Sequence, residues 1–161
     1  MLGQFRFDPG RARRTVIYLD TSYIVKAYIN EPYSDLVLEE LAGQTGLTSS
    51  SLARVEFVSA LMRQCHSGEL TETDAKKAIA SLDEDTTLRI WNWVDIDKTI
   101  ITDSAAMLMD HRLKGKLRSL DAMHLTTAQK SGTGKVYTHD KRMFEAARIL
   151  GLNPVDIIPA I

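Results

Sequence analysis

Four consecutive apolar residues, Val16, Ile17, Tyr18 and Leu19, stop abruptly at an acid, Asp20. A run of β-formers with no polar alternation suits a strand covered on both faces, as strands of parallel sheets are. A carboxylate that directly continues such a strand is costly to bury unless it is paired. The same pattern recurs near the end of the chain, where KVYT (Lys135 to Thr138) is followed, after His139, by Asp140. In parallel α/β sheets, ligands bind outside the carboxyl ends of the strands, so both acids are expected on one edge.

Between and beyond these runs the pattern is mostly helical. Ser22 is placed to cap a helix over Tyr23 to Ile29, and Pro32 to open a second over Tyr33 to Leu41, which Gly43 ends. Leu47 to Ser49 is a short strand candidate. From Leu52 to Cys65 the spacing predicts a helix whose core stripe is Leu52, Val55, Ser59, Met62 and Cys65, with Val58 beside it. Gly68 ends it. Thr71 and Asp74 resemble a capping box that starts a helix ending near Asp85. Thr87 to Val94 (TLRIWNWV) reads as a strand, and Lys98 to Leu113 and Ser119 to Lys130 read as helices. Lys141 to Leu150 is a helix stopped by Gly151, and Val155 to Ile158 is a last strand candidate. Short apolar strands alternating with helices predict an α/β sandwich around a mainly parallel sheet.

A chain of 161 residues and 18.0 kDa is one domain with a sizeable core. Its 44% apolar and 25% charged residues exclude wholesale disorder. Twenty Lys and Arg against 21 Asp and Glu exclude a generic polycation, so any contact with nucleic acid must come from a local patch. The single cysteine, Cys65, excludes an internal disulfide, a cysteine-based zinc site and an iron–sulfur cluster, and reads as core filling. No apolar run approaches the ~20 residues of a membrane helix. With no signal peptide visible, the expected setting is a reducing cytoplasm, away from any membrane. Residues 1–14 (MLGQFRFDPGRARR) read as a flexible basic arm carrying Arg11, Arg13 and Arg14, ahead of one domain over residues 15–161.

Two further acids join Asp20 and Asp140. Glu56 lies at the edge of the predicted stripe, between Val55 and Phe57. Asp121 falls in a first helical turn, where a negative charge complements the macrodipole, yet it shares a face with Leu125 and Ala128. Asp140 is equally well placed as a plain helix cap. Together, four converging carboxylates would repel one another and raise their proton affinities. A hard divalent cation, Mg²⁺ or Mn²⁺, relieves this and can activate a water against a phosphodiester. The histidines, His66, His111, His124 and His139, form no metal-spaced pair and read as surface or satisfied side chains. Trp91 and Trp93 alternate along a strand and read as packing. His111, Arg112, Lys114, Lys116 and Arg118 cluster without an acid. They fit a solvated helix end or, functionally, a phosphate clamp beside Asp121, with Arg118 the first candidate.

Four segments carry a family resemblance: LDTSYIVKAYINE (Leu19 to Glu31), SSLARVEFVSAL (Ser50 to Leu61), LRSLDAMHLTTA (Leu117 to Ala128) and VYTHDKRMFEAARILGL (Val136 to Leu152). With these, the chain resembles the PIN-domain nucleases, in particular the VapC toxins of toxin–antitoxin modules. The resemblance implies a PIN-like three-layer α/β/α sandwich. It implies that Asp20, Glu56, Asp121 and Asp140 are the catalytic, metal-binding quartet, with Thr21 or Ser22 and Thr138 orienting the acids or metal waters. It also implies an Mg²⁺- or Mn²⁺-dependent endoribonuclease acting on structured RNA, often tRNA. A homodimer is implied, as is a cognate VapB-type antitoxin whose C-terminal tail enters the active-site groove. The arm before Thr15 departs from the family, whose members commonly start almost at the first strand. An aspartyl phosphohydrolase with Asp20 as nucleophile would need a second acid two residues on, where Ser22 stands. A non-catalytic PIN-like module that binds RNA or protein is disfavoured by the intact set of acids.

Overall fold

The computed structural model describes residues 16–42, 44, 46–114 and 117–159. The arm expected over residues 1–14 lies outside the described residues. Val16–Leu19 forms β1, the middle strand of a five-stranded sheet. Its neighbours are β2 (Gly46–Ser50), β3 (Trp91–Val94), β4 (Lys135–Tyr137) and β5 (Pro154–Val155), in the order β3-β2-β1-β4-β5. Every pairing is parallel, so the mainly parallel sheet of the sequence reading is wholly so. In register, Ile17 faces Leu47 on one side and Lys135 on the other. Strand order reverses at β1, because β2 and β3 leave to one side and β4 and β5 to the other. Such a switch point opens a crevice at the carboxyl ends of the strands.

Alternation along β1 builds the layers. Ile17 and Leu19 enter a core closed by α1 (Thr21–Tyr28), α2 (Ser34–Ala42), α3 (Leu52–Ser67) and α4 (Glu72–Thr87). Tyr18 points the other way, into a core closed by α5 (Lys98–Leu108), α6 (Ser119–Ser131) and α7 (Lys141–Ile149). The result is an α/β/α sandwich whose central strand is buried on both faces, as its composition requires. Among the described residues no helix is long and apolar enough to cross a membrane.

Several local expectations need correction. Asp20, rather than Ser22, caps α1: its carboxylate accepts from the Ser22 and Tyr23 amides, and the helix starts at Thr21. The strand expected from Thr87 begins at Trp91, because α4 runs on to Thr87 and Arg89 turns the chain at φ 60°. The helix expected to reach Leu113 ends at Leu108, and His111–Leu113 is a separate 3₁₀ turn capped by Asp110.

The largest correction concerns α3. Its buried stripe is Ala53, Phe57 and Leu61, whereas Val55 is 69% exposed and Val58 and Met62 are also exposed. Apolar residues occur on two faces of this helix, so spacing alone does not choose between them. Phe57 decides it, meeting Tyr28 edge to face with ring centroids 5.8 Å apart inside the core. Cys65 packs at the margin of that core. Trp91 and Trp93 stack on each other and donate to Tyr28 Oη and Thr86 Oγ1, which is packing. Phe57→Ala is therefore expected to lower stability by about 3–5 kcal/mol. Val55→Ser should stay within about 0.5 kcal/mol. Urea unfolding followed by circular dichroism checks both, and equal losses would contradict this burial.

Candidate metal-binding active site

The edge at the switch point is built by the turns that leave the strands. Asp20 follows β1 and continues its pairing, donating its amide to Tyr137 O at 3.0 Å. Its side chain is 6% exposed. Oδ1 accepts from Ser22 N at 2.8 Å, Ser22 Oγ at 2.5 Å and Tyr23 N at 3.3 Å, and Oδ2 accepts from Thr138 Oγ1. Thr138, wholly buried at the end of β4, also accepts the amide of Asp140 at 3.1 Å. One hydroxyl thus ties the acid after β1 to the acid after β4.

Asp140 caps α7, with Oδ1 accepting from Arg142 N at 2.8 Å and Met143 N at 3.1 Å, while Arg142 Nη2 lies 3.4 Å from Oδ2. Asp121 sits in the first turn of α6, and its Oδ2 accepts from Arg118 N at 3.2 Å. Glu56, one turn into α3, takes two hydrogen bonds on Oε2, from Thr21 Oγ1 and from His124 Nε2 at 2.7 Å. The sequence-derived supporting residues therefore have distinct contacts: Thr21 meets Glu56, Ser22 meets Asp20, and Thr138 bridges Asp20 and Asp140.

These environments split the proton affinities. Burial pushes the Asp20 carboxyl up, against the pull of Ser22 and Thr138. Burial also pushes Asp121 up; the Arg118 amide pulls it down, and the charge of Asp140 adds to the rise. For Glu56 the same burial is outweighed by the hydrogen bonds of His124 and Thr21, and its carboxyl falls. For Asp140 the Met143 and Arg142 amides and the Arg142 guanidinium outweigh burial, and its carboxyl falls too. The four carboxyls are thus pushed apart in proton affinity, two up and two down.

The donor chemistry is that of a hard cation: carboxylate oxygens, with no cysteine among them. Among the described residues no hydrogen bond reaches Glu56 Oε1 or Asp121 Oδ1, which leaves one oxygen on each of these acids for an ion. The fit is one of donor chemistry and position. Among the described residues no three His, Cys, Asp or Glu side chains stand close enough together to grip a single ion.

The basic cluster is less open than its sequence suggests. Arg112 folds back on Asp110, its Nε 3.0 and 2.9 Å from the two carboxylate oxygens and its Nη2 2.5 Å from Oδ2. The guanidinium holds the Asp110 carboxyl down at about 2. The Arg118 side chain is exposed beside Asp121, and Lys116 lies outside the described residues. Arg112 and Lys114 share a cavity of about 360 Å³ with Lys141 and Arg142, so the basic wall continues onto α7. On the other flank, a cavity of about 440 Å³ beside Glu56 is lined by Thr21, Val25, Val55, Arg63 and Leu120. His139 is held by Asp156 at 2.9 Å.

Sequence reasoning missed the company His124 keeps. It is the satisfied histidine expected, but one of its partners is Glu56. The available signal was its place one turn beyond Asp121 on the same helix. Arg142, two residues after Asp140, was missed as well.

Comparison with known proteins agrees with this architecture. The family model described as PIN domain matches residues 17–149. Ribonuclease VapC46 of Mycobacterium tuberculosis is 39% identical over 138 residues, spanning 84% of this chain and 93% of the relative. The crystal structure of M. tuberculosis VapC20, described as a sarcin–ricin loop cleaving toxin, superposes with a TM-score of 0.66 at 17% identity, covering 89% of this chain and 99% of that one. A toxin–antitoxin complex from Klebsiella pneumoniae superposes at 0.53 with 18% identity, covering 80% and 89% of the two chains.

Asp121→Asn tests the charge strain in metal-free protein. An acid whose native proton affinity is raised loses stability as pH climbs through its ordinary and then its raised value. The amide has no such loss, so the variant should melt a few degrees above wild type at neutral pH. The two should converge in acid. Thermal unfolding in chelator across that range checks it, and a variant that melts lower at neutral pH would contradict the strain.

Proposed function

The chain belongs to the PIN-domain family, among its VapC-type members, and from this we propose that it is a divalent-metal-dependent endoribonuclease. It acts as the toxin of a toxin–antitoxin pair and hydrolyses structured RNA such as tRNA. The observation that supports the reading most is the pair of carboxylates at the switch point, Asp20 and Asp140, joined through the Thr138 hydroxyl, with Glu56 tied in through Thr21 and Asp121 feeling the charge of Asp140. VapC46, a named ribonuclease, aligns over 84% of this chain.

In this reading Asp20, Glu56, Asp121 and Asp140 hold Mg²⁺ or Mn²⁺. When bound, the ion supplies an activated water and positive charge against the phosphodiester. The chain's own residues do the rest. Thr138, Ser22 and the α1 amides fix Asp20, Thr21 fixes Glu56, and the α7 amides fix Asp140. Arg118, Lys114, Lys116 and Arg112 meet RNA phosphates, Arg112 after leaving Asp110, and Arg142 and Lys141 extend that wall. Hydrolysis joins the water oxygen to phosphorus, breaks the bond to the leaving ribose oxygen and returns a proton to that oxygen.

A VapB-type antitoxin and a homodimer belong to the same proposal. The first is supported by the fold shared with a toxin–antitoxin complex. The second is supported by apolar side chains left uncovered on α3 and α5, among them Val58, Met62 and Ile101. A reducing cytoplasm is the proposed setting, in keeping with one unpaired cysteine.

Purified, antitoxin-free protein incubated with total cellular RNA tests the activity. A few discrete products are expected with Mg²⁺ or Mn²⁺ and none with chelator, and Asp121→Asn should lose at least about 100-fold in rate. Cleavage that persists in chelator, or an unchanged rate in Asp121→Asn, would overturn the proposal.

A further inference from the structure

Two hydrogen bonds converge on one oxygen of Glu56, and the second of them belongs to a longer chain. His124 is 3% exposed, and its Nε2 lies 2.7 Å from Glu56 Oε2. Its other ring nitrogen, Nδ1, lies 2.7 Å from the hydroxyl of the wholly buried Tyr18, and the two rings meet edge to face. The Tyr18 oxygen accepts from the amide of Ser50 at 3.2 Å. The phenol hydrogen is then free to be donated to Nδ1, 2.7 Å away, with the Ser49 hydroxyl its other polar neighbour. A ring nitrogen that accepts carries no hydrogen, so the ring hydrogen sits on Nε2 and is donated to Glu56. The chain Ser50 to Tyr18 to His124 to Glu56 thus has a direction, with one acceptor for each donor. Its members come from β2, β1, α6 and α3, so it links the two helical layers over the sheet edge.

We propose that Tyr18 and His124 are positioning residues that pin Glu56 through Oε2 and so present Oε1 to the divalent cation. The proposal rests on the metal-dependent reading above. Neither residue touches the cation or the RNA; both act through Glu56. A glutamate has three side-chain torsions to immobilise when it binds an ion. Two donors on one oxygen settle those torsions in advance, which is how partners behind a metal ligand raise affinity.

Three variants separate this role from packing. His124→Leu fills the space without a donor, His124→Gln keeps an N–H that can reach Glu56, and Tyr18→Phe removes only the anchoring hydroxyl. Mn²⁺ affinity of the full chain is read by titration calorimetry, with melting curves to establish that each variant is folded. His124→Leu should bind Mn²⁺ about 10- to 100-fold more weakly. His124→Gln should recover most of that loss, and Tyr18→Phe should fall between. Wild-type affinity in folded His124→Leu, or a glutamine variant no better than leucine, overturns the proposal. If His124→Leu does not fold, wild-type affinity in Tyr18→Phe overturns it instead.

A second arm reads the ring directly in metal-free wild type. Long-range ¹⁵N–¹H spectra should show His124 with hydrogen on Nε2 and a bare Nδ1, and hydrogen on Nδ1 overturns the directed chain. Wild-type protein that binds no Mn²⁺ overturns the metal reading itself, and with it the cation's part in this one.

Discussion

A carboxylate at the end of a doubly buried strand is the constraint around which this molecule is arranged. Asp20 keeps 6% of its surface exposed. A charged group in that position is expensive unless its oxygens are satisfied. Its partners are the first amides of α1, the Ser22 hydroxyl and the Thr138 hydroxyl. Those partners exist only if α1 starts immediately after β1 and if β4 lies beside β1 rather than elsewhere in the sheet. The parallel pairing of β1 with β4 delivers the second condition and fixes the strand reversal at the same place. The burial of one acid, the sheet order and the crevice are therefore one arrangement.

The remaining acids are attached to it by hydroxyls and a ring. Thr138 carries the connection to Asp140, and Thr21, adjacent to Asp20, carries it to Glu56. Asp121 is reached mainly through charge, since Asp140 raises its proton affinity and Arg142 and Arg118 lower it. Glu56 and Asp140, whose hydrogen-bond donors and neighbouring charges outweigh burial, stay ionised readily, whereas Asp20, despite its four donors, and Asp121 are dominated by burial and resist ionisation. In the proposed function a bound cation would offset that imbalance by favouring the charged forms of the acids that hold it.

Much of this was legible in the sequence wherever one residue type had one available role. VIYL has no polar face to expose and KVYT repeats a short β-run ahead of an acid, so the parallel sheet and the edge bearing Asp20 and Asp140 followed from the residues alone. The face of α3 did not follow, because apolar residues lie on two of its sides and Phe57 is recognisable as core only once Tyr28 is known to be its neighbour. The start of β3 was hidden by Arg89, whose positive φ no propensity anticipates. The partners of His124 lie 106 and 68 positions away in the chain, on a strand and on another helix, so its place one turn beyond Asp121 hinted at the site but could not name them. Arg112 read as free for phosphate, yet it folds onto Asp110 just before it, a choice made by the 3₁₀ turn between α5 and α6.

Under the proposed function, the four carboxylates Asp20, Glu56, Asp121 and Asp140 would form one cation site. The most direct measurement is the anomalous scattering of Mn²⁺ in crystals of the wild-type protein. An anomalous peak bounded by oxygens of Asp20, Glu56, Asp121 and Asp140 is expected. Crystals saturated with Mn²⁺ that show no peak there, or show ions only against other residues, would contradict it.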